Sequence, residues 1–363
     1  MVRGKIVPDL ALVLSGGAYK VMFQIAFLWF LEKVGIYPEK IYAISGGVPN
    51  ALAFMLGKAA RLPRVWFEIE PSELYRVAWF NFLVKPIALG KKPGFGAPGI
   101  LKNEILTEII DREVDFKEVL RSPIQLWVGV EDYVSGSAKW VSNHDPGMTR
   151  ERFRTFVLAS MRIPIFFEPI NEGEAQLADA GLMTNIPIGE AIRGGATTIV
   201  AVNALPRKLP EIKRLNTWPE MEVRNSDAAH IKEGERHRQA IEETNTHIRG
   251  VALIREKLCN GCRARTDADF DTLPRSRKRH IEFCLVNAPM NLAIFKKQGS
   301  YGSPTIEARF ELLGAGLAGV TLALVPFLLK IGLLDETGQG RYRSFEAEFT
   351  AQVRAGYIEA TNK

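Results

Sequence analysis

The order of the first 55 residues constrains the fold most. A short apolar run, "LALVL" at residues 10–14, is closed by Ser-Gly-Gly, and "AYKVMFQIAFLWFLEKVG" follows it, apolar almost all the way round. The run has the length and bounding residues of a buried strand, and the segment after it reads as a helix enclosed on all sides. Gly35 supplies a C-cap. A second strand, "KIYAIS", and a second helix, "PNALAFMLGKAA", come next. Further along, "IQLWVGVEDY", "TTIVAVNAL" and "RHIEFCLVNAP" read as strands, and "SPTIEARFELLGAG" reads as a helix. Residues 225–258, rich in Glu, Arg, His and Ala, read as a long surface helix. Strands alternating with helices specify an α/β fold around a largely parallel sheet.

Composition fits a folded domain: 47% of the 363 residues are hydrophobic and 24% charged. The net charge of +6 is modest, but its placement is uneven. Between Leu74 and Asn103 there is no acidic residue, whereas Arg76, Lys85, Lys91, Lys92 and Lys102 are interleaved with Tyr75, Trp79, Phe80, Phe82 and Phe95. Such a stretch suits either an anionic lipid surface or a cap over a site. Three cysteines give no even disulfide framework, and the N-terminal apolar stretch is too short for a secretory signal, so a cytoplasmic setting is expected. Leu312–Leu329 runs 18 residues without a charge, the lower limit for a membrane span. Its three glycines and Pro326 favour a buried or membrane-surface helix instead.

Two small-residue turns carry the candidate chemistry. In "LVLSGGAYK" a Gly-Gly pair between strand and helix either makes a tight turn or presents backbone N–H groups to negative charge. The dinucleotide and P-loop fingerprints are both missing from it. In "AISGGVPNAL", Ser45 is either a helix N-cap or the serine of a nucleophile elbow. Gly47 meets the elbow's later glycine position, Ala43 stands at the earlier one, and Pro49 falls in the first helical turn, where it is tolerated. None of the five histidines lies in a site-like segment, and three sit on the polar long helix, where a solvated face is expected. A carboxylate is then the available base, and Asp179 in "LADAGLMTNIP" is the candidate; a turn or capping role is its alternative.

Taken in order, these elements resemble the patatin-like phospholipase family. "LSGGAYKVMFQ" resembles its glycine-rich loop, "AISGG" its elbow and "DAG" its aspartate motif. "LASMRIPIFFEP", the "NIP" tail and "GATTIVAVNALP" resemble its neighbouring segments, so the likeness extends over residues 10–206. Ala18, Lys20 and Val21 replace the loop's third glycine, arginine and last glycine, and Ala43 and Ala180 replace two more glycines. The resemblance implies a three-layer sandwich with a mainly parallel central sheet and helices on both faces. It also implies a serine lipid acyl hydrolase with Ser45 as nucleophile and Asp179 as base. Gly16, Gly17 and Ala18 then form the oxyanion hole, supported by Lys20 and Gly47. No metal or cofactor is expected, and the partners are a phospholipid or other lipid ester and a peripheral membrane surface. A catalytically weak lipid-binding or scaffolding protein, or an acyltransferase, is the alternative.

The expected organisation is a domain at 1–309, with an inserted cap at about 60–102, and a helical extension at 310–363. "CNGC", with His280 and Cys284, has zinc-like spacing, but Cys284 falls inside an apparent strand. "DADFD" lacks the EF-hand glycine and glutamate. "RSRKRH" reads as a solvated basic loop, and no nucleic-acid partner is expected.

Overall fold

The computed structural model describes residues 4–69, 104–164, 166–211, 218–261, 280–296 and 304–361. The basic-aromatic stretch 74–102, Cys262 and the "DADFD" segment lie outside these residues.

Among the described residues, eight strands form one sheet: β1 (Lys5–Leu14), β2 (Ile36–Ala43), β3 (Gln125–Asp132), β4 (Ser137–Ser142), β5 (Ile170–Glu172), β6 (Ala175–Asp179), β7 (Thr198–Asn203) and β8 (Glu282–Asn287). β1 pairs in parallel with β2 and β7, β2 with β3, and β7 with β8. The chain therefore winds from β1 toward β3 on one side and from β7 to β8 on the other. Direction reverses between β1 and β7, and crevices for ligands open at the carboxyl ends of strands beside such a reversal.

The sheet is buried on both faces. Leu10, Leu12 and Leu14 of β1 join one core with Ile41, Ala43, Val200 and Val202. The alternate residues Ala11 and Val13 join another with Tyr42, Ile188, Ile199 and Ile241. The first face is covered by helices Ile25–Val34, Gly47–Met55, Ile306–Gly319 and Glu336–Thr361. Helices Ile188–Arg193 and Trp218–Gly261 cover the second. This is the three-layer α/β arrangement.

Several elements differ from the sequence reading. Residues Ala18–Gln24, expected to open a helix, form a 3-10 segment before Ile25–Val34 begins. Ala18 has φ 47°, a left-handed conformation that a regular helix does not contain. The hairpin β5–β6 and strand β4 are antiparallel additions, too short and polar to stand out in the sequence.

Ile306–Lys330 is long and apolar enough to cross a membrane, and 39% of its apolar window is buried within the fold. It runs as a helix to Gly319, a π-helical segment Val320–Leu324 and a last piece Val325–Lys330. Leu312, Leu313, Val320, Leu324 and Leu328 are fully buried in the same core as Phe23, Phe27 and Phe30. A Cβ on Gly316 would stand 2.4 Å from the Phe23 carbonyl oxygen, so this glycine sets how closely the segment approaches. Phe345 and Phe349 of the final helix pack on Trp29 at 5.8 and 5.3 Å between rings. The C-terminal helices are thus part of the main core.

Candidate active site

The sheet itself brings Ser45 and Asp179 together. Val128 pairs with Ala43 of β2 and with Val141 of β4, which therefore lie on opposite edges of β3. Val130 pairs with Lys139 of β4 and with Asp179 of β6, so β6 takes the same edge as β2, beyond its end. β2 ends at Ala43 opposite Val128, and β6 ends at Asp179 opposite Val130. Two residues of strand span about 7 Å, and Ser45 lies in that interval.

The turn after β2 is sharp. Ser45 has φ 52°, a left-handed backbone that costs a non-glycine residue roughly 1 kcal/mol. Three contacts hold it there. The Ser45 N–H donates to Ser160 Oγ at 3.1 Å, and the Ser160 hydroxyl donates to the Gly129 carbonyl at 2.7 Å. Gly47 N–H donates to the Ile44 carbonyl at 2.9 Å. A Cβ on Gly47 would stand 2.8 Å from the Ser15 carbonyl oxygen and 3.0 Å from that of Leu14, so only glycine lets the helix start against β1. Ala43, at the other glycine position, is buried in the core and meets no such obstacle.

Asp179 is buried, 2% exposed. Burial pushes its carboxyl up to about 7, against the lowering effect of hydrogen bonds from the Ser45 side chain and the Gly181 N–H; Glu131 adds a repulsive charge. The Gly181 bond is 2.8 Å long. Asp179 thus makes both the turn bond typical of its position and the contact with Ser45.

The loop after β1 faces this pair. A Cβ on Gly16 would stand 2.9 Å from Ser45 Cβ and 2.6 Å from Asn185 Oδ1. The Gly16 N–H donates to the Asn185 carbonyl at 3.1 Å and is therefore already committed. Gly17 and Ala18 follow with φ 145° and 47°, and Lys20 closes the turn by donating its N–H to the Gly17 carbonyl at 2.9 Å. The Lys20 ammonium lies in a buried ion pair with Asp227, at 2.9 Å.

Beside Ser45 lies a cavity of about 60 Å3, walled by Tyr19, Trp66, Leu106, Met161, Ile163 and Phe167. Tyr19 and Trp66 meet edge to face at 5.5 Å. Trp66 Nε1 donates to Asn50 Oδ1 at 3.0 Å, and the Tyr19 hydroxyl donates to the Ile69 carbonyl at 3.2 Å. Two larger clefts, of about 510 and 590 Å3, have charged walls and include neither Ser45 nor Asp179. The apolar cavity at the serine is the one suited to a hydrocarbon group.

Residues 12–192 match the family model for patatin-like phospholipase, a span that contains the glycine loop, the elbow and Asp179. This span is a patatin-like phospholipase domain. The match supports a lipid hydrolase family for this domain. Among solved structures, the "Crystal structure of VipD from Legionella pneumophila" is similar at 14% identity and a TM-score of 0.39, covering 96% of this chain and 74% of that one. No curated protein matches the chain significantly in sequence.

Around the patatin-like site stand residues that the sequence reading passed over. Ser160 lies in the "LASMR" stretch, where the resemblance drew attention but no role. His230 corrects an expectation: placed on a solvated face by its polar neighbours, it is 8% exposed, and burial holds its imidazole below the usual pKa. The Trp218–Gly261 helix lays that face on the loop after Asp179, where Glu233 accepts from the Asn185 N–H at 3.0 Å. Cys284 is a buried free thiol on β8, pushed up to about 12 by burial. His280 instead contacts Glu282 at 3.2 Å at the surface.

Proposed function

We propose that the chain is a serine-dependent lipid acyl hydrolase of the phospholipase A or esterase type, acting through an acyl-enzyme on Ser45. The placement of the strained Ser45, just past the end of β2, beside the buried Asp179 at the end of β6, whose carboxyl burial pushes up to about 7, carries this reading. A carboxyl poised near neutrality can both take and return a proton. Ser45 Oγ attacks the ester carbonyl while its proton passes to Asp179. The tetrahedral oxyanion is held by the N–H groups of Gly17 and Ala18, since that of Gly16 is committed. As the carbon–oxygen bond to the alcohol breaks, Asp179 returns the proton to the departing oxygen. Water, deprotonated by Asp179, then releases the acyl group, which occupies the apolar cavity beside Tyr19 and Trp66. The charge and aromatics of residues 74–102 fit an anionic membrane surface as the place where the cytoplasmic enzyme meets its substrate.

A second reading, a lipid-binding protein with little turnover, draws on the loss of one oxyanion donor and on alanine at the left-handed position 18. A fluorophosphonate probe separates the two. We expect labelling of the wild type that disappears in Ser45→Ala, and a folded wild type that stays unlabelled overturns the hydrolase reading. Product analysis with a lipid alcohol added distinguishes transfer from hydrolysis.

A further inference from the structure

One face of the Trp218–Gly261 helix reaches both loops of the site, although the helix lies beyond the matched domain. Asp227, His230 and Glu233 are spaced three apart and so share that face. Asp227 holds Lys20 of the glycine loop, with Nζ 2.9 and 3.1 Å from its two carboxylate oxygens and both side chains less than a tenth exposed. His230, 8% exposed, is buried on the same face between Asp227 and Glu233. Glu233 accepts from Thr184 Oγ1 at 2.5 Å and from the Asn185 N–H at 3.0 Å. The Asn185 carbonyl then receives the Gly16 N–H at 3.1 Å, which closes a ring back to the glycine loop.

We propose that Asp227 and Glu233 are positioning residues, through which this helix fixes the glycine loop at Gly17–Ala18 relative to Ser45 and Asp179. The inference deepens the hydrolase reading and rests on it for its catalytic consequence. The physical reason is that both loops are short turns without regular pairing of their own. A carboxylate accepting two donors, or paired with a buried ammonium, is geometrically exacting because a displaced partner leaves a buried polar group unsatisfied. Two such carboxylates on one rigid helix hold two loops in a single frame. Glu233 binds the segment that follows the base, and Asp227 binds the segment that follows the oxyanion donors. A shift of about 1 Å between the two is enough to lower turnover on the order of 100-fold.

The test uses the full chain with Asp227→Ala, Glu233→Ala and the milder Glu233→Gln. Hydrogen exchange is read on peptides covering 15–21 and 180–186, and kinetics are expressed per Ser45 labelled by fluorophosphonate. Each alanine variant is expected to speed exchange in both peptides and to leave those of β7 unchanged. Turnover per labelled site falls on the order of 10- to 100-fold with KM within about twofold. The inhibition constant of an alkyl trifluoromethyl ketone, which forms an oxyanion on the serine, rises by the same factor. Glu233→Gln recovers most of the loss. A merely structural role lowers the labelled fraction but leaves turnover and inhibition per labelled site at wild-type values, and that result overturns the proposal. Unchanged exchange in the loop that the mutated side chain does not touch overturns it equally. A wild type without labelling sinks the hydrolase reading instead, while coupled exchange between the loops would still support the frame.

Discussion

At Asp179 a carboxyl with a single N–H donor and the Ser45 hydroxyl beside it is 2% exposed. The consequence for pH has two signs. As a base it must be ionised, so kcat/KM on an ester is expected to rise with pH through an inflection near 7 and to level off above it. For stability the direction is opposite. The folded chain keeps this proton up to about 7, while the unfolded chain releases it near 3.9. Between those values the folded state binds more protons, so this residue's contribution falls as pH rises, by up to about 1.4 kcal/mol per unit. Asp179→Asn removes that slope and is expected to be inactive yet more stable than the wild type at pH 8. Parallel denaturation curves for the two proteins from pH 4 to 8 would remove the buried acid from this account. Ser45 adds a smaller local cost through its φ of 52°, and Ser160 is the side chain that holds it in place.

The elbow is an agreement among elements: β2 must end, the Gly47–Met55 helix must begin, and both must lie against β1. Gly47 is the point of contact, with the Ser15 and Leu14 carbonyls within 3.0 Å of where a Cβ would go. Gly47→Ala is expected to cost about 1–3 kcal/mol in chemical denaturation, because backbone on both sides must separate. Displacement of the helix also moves Ser45, so labelling by a fluorophosphonate should slow even in the folded fraction; unaltered labelling kinetics would refute the link. The strand, turn and helix around Ser45 were legible in the sequence, since each is a local pattern. The strand β6 that delivers Asp179 was not legible as a strand. Its five residues are set by pairing with β3, a partner more than 40 residues away. The 3-10 course of Ala18–Gln24 was hidden for a similar reason, being fixed by Ala18 and by burial beneath later helices.

Across the whole molecule, the C-terminal helices decide whether the first face of the sheet is covered. Arg309 illustrates the integration: its guanidinium donates to the carbonyls of Trp66, Phe67 and Ile69 at 3.0–3.3 Å and lies 5.0 Å from the Tyr19 ring. It thereby supports the wall of the cavity beside Ser45. A chain ending at residue 309 would uncover Phe23, Phe27, Trp29 and Phe30, and is expected to aggregate where the full chain stays dispersed; a monodisperse, fluorophosphonate-reactive 1–309 fragment would contradict this. The amino-acid sequence by itself determined the alternating strands and helices and the two small-residue turns, and it made Ser45 and Asp179 the candidates, because periodicity and turn chemistry act over a few residues. Tertiary structure alone decided that β2 and β6 share one edge of β3, that Gly16 spends its N–H on Asn185, and that a distant helix presents Asp227, His230 and Glu233 to the site. Those choices depend on packing between segments up to 207 residues apart, and no local pattern encodes them.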